Sequence, residues 1–127
     1  MRIERNPTFA GRAAAGATTA IPRRLQMAFP QLRQLFPLLV VGQRRTQPWR
    51  HTLDAYTDAL NERVLARLTA ELDDLFSMTD SDETFEVLCL LLGLDLAVAD
   101  GEFPSLYQLV ATIEERVSGE RLARHAA

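Results

Sequence analysis

One cysteine, two histidines and a run of carboxylates are the side chains of this 127-residue chain with the chemistry to make a site. Nucleophilic catalysis needs a nucleophile, a base within hydrogen-bond reach and a group that orients the base. Cys89 lies in EVLCLLLG, the most apolar run of the sequence, where a thiol packs rather than reacts. His51 follows the polar stretch QRRTQPWR and His125 lies near the C-terminus, and no motif surrounds either. Two histidines and one cysteine cannot close a zinc site without carboxylates, and no ligand spacing is present. Asp80-Ser81-Asp82 opens like a calcium loop, but Phe85 stands at its sixth position and Leu91 at its twelfth, where Gly and Glu are required. The six glycines are scattered and make no phosphate loop. The expectation is a non-enzyme with no catalytic residue, no metal, no cofactor and no small-molecule substrate.

Carboxylates remain. Asp73 and Asp74, and Asp82 and Glu83, are sequence neighbours whose side chains point apart on a helix, so neither pair makes an acid–base dyad. Their ordinary reading is a solvated helix face. The negative charge continues, however, and Asp73, Asp74, Asp80, Asp82, Glu83, Glu86, Asp95, Asp100 and Glu102 on one surface would steer a basic protein toward it. These nine are the candidate partner-binding residues.

The charge is divided along the chain. Residues 1–50 hold nine Arg and one acid, a net +8, and residues 51–127 hold five Arg and sixteen acids, a net −11, with no lysine anywhere. An acidic folded surface disfavours nucleic acid and favours a basic protein. The basic half admits another reading. Trp49 among Arg44, Arg45 and Arg50 has the composition to meet nucleic acid by phosphate pairing and stacking, unless the indole simply plugs the edge of the core.

Helices must position these groups. Pro30 suits a first helical position, and Leu32, Leu35, Phe36 and Leu39 follow at helical spacing. Pro37 implies a kink or break near Phe36, and Gly42 a helix end. Thr52 is an N-cap candidate for a helical pattern from Leu53 to Phe76, either one long helix or two joined near Asn61. The acidic turn Ser77–Glu83 follows, with Asp80 and Glu83 spaced as a capping box. Phe85, Val87, Leu88, Leu91 and Leu92 make a dense apolar block that stops at Gly93, the C′ residue. Leu94–Glu102 alternates like a strand, but a lone strand has no partner, so it reads as a crossing loop that turns at Asp100-Gly101. Pro104 and Ser105 open a last helix with the stripe Leu106, Leu109, Val110, Ile113 and Val117, ending at Gly119 before a frayed tail.

The length fits one domain, and 47% hydrophobic with 24% charged residues is an ordinary globular composition. The apolar runs Leu35–Val41 and Val87–Leu94 are too short to span a bilayer, so no membrane association is expected. A single cysteine forms no internal disulfide and suits a reducing, cytoplasmic setting. The expected fold class is all-α, a small bundle of four to five helices with a disordered N-terminal arm. The expected divisions are an arm or mis-assigned start over residues 1–26, a helical domain over 27–118 and a tail over 119–127. An Arg-rich, acid-poor leader also has the character of a transit peptide, whereas no apolar run follows it to make a secretory signal.

An ordered set of short motifs resembles a family. Phe29-Pro30-x-Leu32-x-Gln34-Leu35-Phe36, Thr52-x-Asp54-Ala55-Tyr56, Glu71-Leu72-Asp73-Asp74-Leu75, Leu91-Leu92-Gly93 and the Asp100-Gly101 loop come in the order of the small helical immunity proteins of bacterial contact-dependent growth inhibition systems. The resemblance covers about residues 29–117. It implies a cytoplasmic, non-catalytic protein that binds the toxic domain of a cognate effector, often a nuclease, through a surface complementary to it. The alternative is a helical adaptor or regulator whose basic N-terminal half contacts nucleic acid.

Overall fold

Helix α2 (Pro30–Arg44) starts on its proline and buries Leu32, Leu35, Phe36 and Leu39 on one face. That face sets the core of a computed structural model that describes residues 23–126. A short helix α1 (Arg23–Ala28) precedes it, inside the stretch expected to be an arm; the rest of that expectation, residues 1–22, lies outside the described residues. Helices α3 (Trp49–Asp58), α4 (Glu62–Met78), α5 (Asp82–Leu91) and α6 (Leu106–Ala126) complete an all-α bundle. No strand occurs among the described residues.

Several boundaries differ from the sequence expectation, each for a physical reason. Pro37 lies inside α2, which continues past it to Arg44. Gly42 does not end the helix. It is buried, and a Cβ there would stand 2.5 Å from Thr52 Oγ1, so the missing side chain lets α3 approach α2. Thr52 is therefore inside α3, whose N-cap is Pro48. The long helical pattern divides into α3 and α4 at Asn61, whose Oδ1 accepts from Val64 N at 2.9 Å. Ser81 rather than Asp80 caps α5, its Oγ accepting from Thr84 N at 3.2 Å. Gly93 takes the left-handed conformation after α5, at φ 100°, with the Pro37 ring beside it. The crossing segment holds a 3₁₀ turn (Leu96–Ala99) and then Asp100 and Gly101, both at positive φ.

Helix α6 runs through Gly119 to Ala126 instead of fraying. Its last turns are tied down by Arg124, whose guanidinium donates to Leu60 O and Thr57 O, each at 2.7 Å, and to Glu120 at 2.8 Å. Thr57 O in the last turn of α3 and Leu60 O just beyond the helix thereby each gain a side-chain donor. Side-chain pairing gives the topology. Asp54 with Arg116 and Thr57 with Arg124 run α3 and α6 side by side in one direction. Phe76 beside Tyr107 brings the C-terminal end of α4 to the N-terminal end of α6, so these two are antiparallel. Thus α6 packs on α3, α4 and α5, and its stripe of Leu106, Leu109, Val110, Ile113 and Val117 is buried as the sequence predicts.

Candidate functional site

The C-terminal half of α4, the turn after it and the outer face of α5 carry the largest set of uncommitted carboxylates among the described residues. Asp74, Asp80, Asp82, Glu83 and Glu86 are exposed, and among the described residues none takes part in an ion pair or accepts a hydrogen bond. Local sequence explains their placement: Ser81 caps α5, and Asp82 and Glu83 occupy its first turn, where the helix dipole favours negative charge. Asp73 is exposed on α4 and faces α6, where its hydrogen bond with Glu114 raises the Glu114 carboxyl to about 7.

The other predicted acids have local roles. Asp95 Oδ1 accepts from Ala97 N at 2.9 Å and starts the 3₁₀ turn. Glu102 accepts from Trp49 Nε1 at 3.1 Å and forms a two-pronged pair with Arg50, which holds its carboxyl below the ordinary value. Asp100, at φ 50°, lies with Glu102 in a depression of about 400 Å³ beside Trp49 and Arg50. A different depression holds Asp80 and Asp82. The nine candidates therefore divide into an α4–α5 group and a second group at the crossing segment.

Trp49 is buried at 3% exposure, with Phe103 against its ring and the Arg50 guanidinium 4.4 Å from its centroid. Its stacking surface is used within the protein, as the core-plug reading predicts. Cys89 is fully buried, and burial pushes its thiol up to about 12, far from a reactive thiolate. His51 is exposed on α3, and His125 Nε2 lies 2.9 Å from Glu62. Among the described residues no group of three or more His, Cys, Asp and Glu side chains is placed to hold a metal ion, and no helix is long and apolar enough to cross a membrane.

Sequence reasoning missed the apolar half of this surface. Val87, Leu90 and Leu91 are exposed on α5, at 57%, 53% and 37%, and Met78 and Tyr107 are exposed beside the turn. Val87 and Leu91 read as core in the sequence because the second half of α5, Val87–Leu91, is continuously apolar, and within α5 only Phe85, Leu88 and Cys89 are buried. That excess of apolar residues over one buried face was the available signal. No family model, no curated protein and no solved structure matches the chain.

Proposed function

We propose that this chain is a non-catalytic immunity protein that neutralises a cognate toxin domain, a nuclease, by covering its basic surface. One observation carries the proposal: α5 and the turn before it hold four exposed carboxylates, Asp80, Asp82, Glu83 and Glu86, unpaired among the described residues, together with exposed Val87, Leu90 and Leu91. An apolar patch with a charged rim is the anatomy of a protein interface. Carboxylates of that rim replace the phosphates that a nuclease surface is built to hold, and long-range attraction speeds the encounter. The partner class comes from the ordered motif set of residues 29–117, and the charge of −11 over residues 51–127 agrees with it.

The test is co-expression with the polypeptide encoded immediately upstream of this chain's gene, together with a pull-down from the same cells. The expected result is survival of cells that otherwise die, and a complex that weakens with salt. Asp82→Arg with Glu86→Arg is expected to abolish both while leaving the thermal midpoint within a few degrees, since both positions are exposed. Neither protection nor binding by the unaltered chain would overturn the proposal.

A further inference from the structure

Three rings meet where α4, α5 and α6 converge. Phe76 stacks on Phe85 with centroids 5.1 Å apart, and Tyr107 approaches both at 5.2 Å, edge-on to Phe76. Phe85 is buried beneath them, whereas Tyr107 keeps 45% of its surface exposed. Phe76 and Tyr107 line a depression of about 220 Å³ that also takes in Thr79, Asp80, Ser81 and Asp82. Tyr107 thus leaves part of its ring open to the depression, with the partly buried Phe76 beside it.

The charged side chains that line this depression, Asp80 and Asp82, are both acidic. Aromatic faces attract cations through their quadrupole. Asp80 and Asp82 have no ion-pair or hydrogen-bond partner among the described residues. Helix α4 ends here, at Met78, and has no basic residue in its last turn to offset its negative end. The N-terminus of α5 has the opposite sign, but Ser81 Oγ caps it and Glu83 lies in its first turn. A positive, planar group fits what is left.

We propose that the depression is an anchor site for an arginine side chain of a protein partner. The guanidinium lies against Tyr107 and Phe76 and pairs with Asp80 and Asp82. Arginine suits it better than lysine because its planar, weakly hydrated head stacks on rings and bonds carboxylates in the same pose. The assignment rests on the reading of the chain as a binder of basic proteins and adds the side chain that is gripped.

The test is an NMR titration of the full chain with acetyl-Gly-Arg-Gly-amide, with the citrulline and lysine peptides as arms. Citrulline keeps the shape and removes the charge. The expected result is saturable shifts confined to residues 76–84 and the Tyr107 ring, with the citrulline peptide weaker by about tenfold or more. Asp80→Asn with Asp82→Asn should weaken the arginine peptide by about fivefold or more without moving the unfolding midpoint beyond a few degrees, and Tyr107→Leu, which keeps apolar contact with Phe76 and Phe85, should weaken it by a similar factor. Equal binding of the lysine peptide overturns the choice of arginine. Shifts that do not saturate, or that spread equally to Asp95 and Asp100, overturn the site. Protection from the toxin without peptide binding sinks the anchor and leaves the binding function standing. Peptide binding without any toxin complex does the reverse.

Discussion

Buried carboxylates need partners, and Glu71 finds two backbone amides. It projects from α4 onto the first turn of α2, where Oε1 accepts from Gln31 N at 2.9 Å and Leu32 N at 3.0 Å. Phe29 at the N-cap offers no side-chain acceptor, so Glu71 supplies the cap from another helix. Glu71→Ala leaves two amides without partners and should destabilise the fold by about 2–4 kcal/mol, read as a lower urea midpoint at unchanged slope. Burial, outweighing those two amide bonds, holds the Glu71 carboxyl above its ordinary value. The folded state thus keeps this proton more tightly than the unfolded chain does. The group's contribution is full below the unfolded value and is lost as pH rises through the folded one. In Glu71→Gln that component of the pH–stability curve should vanish. The sequence places Glu71 in a helix beside Leu72 but cannot show that the start of α2 lies above it, because the bond joins residues about forty apart.

At the scale of elements, periodic patterns were legible and tertiary punctuation was not. The apolar stripes of α2, α4 and α6 follow directly from spacing, and Asn61 and Gly93 mark ends that local chemistry alone explains. Gly42 and Gly119 look like the same signal and are not. The first is a point of close approach between α2 and α3, and a Cβ at the second meets nothing within 4 Å, so the helix passes through. Gly42→Ala should therefore cost about 1–3 kcal/mol through contact with Thr52 Oγ1. Thr52→Ala removes the opposing oxygen, and a double-mutant cycle by chemical denaturation should recover most of the loss. The tail was misread for a related reason. Arg124 bonds carbonyls at and just after the end of α3, more than sixty residues away, which no local pattern reveals. Arg124→Ala should lower stability by about 1–3 kcal/mol, and hydrogen exchange should then quicken first at the end of α3 and the last turns of α6.

Across the whole molecule, negative charge collects along the α4–α6 seam. Asp73 meets Glu114 there, and further along the antiparallel pair Phe76 meets Tyr107, beyond which lie Asp80 and Asp82. The like charge of Asp73 makes the hydrogen-bonded, protonated form of Glu114 favourable up to about 7, with burial and the nearby Glu115 acting in the same direction. The folded pKa lies above the unfolded value, so this group's stabilisation is complete below the ordinary Glu range and is lost as pH rises toward about 7. A basic partner at the seam changes the balance. It favours the ionised pair, so docking expels the Glu114 proton. Affinity should then rise as pH climbs through about 7, by about tenfold if docking lowers this carboxyl by one unit. Isothermal titration at two pH values, each in buffers of different ionisation enthalpy, measures both the affinity and the protons released. Glu114→Gln should abolish the proton release and flatten the pH dependence while leaving Asp73 free to attract the partner. An affinity that falls over the same interval would place the bound surface away from this seam.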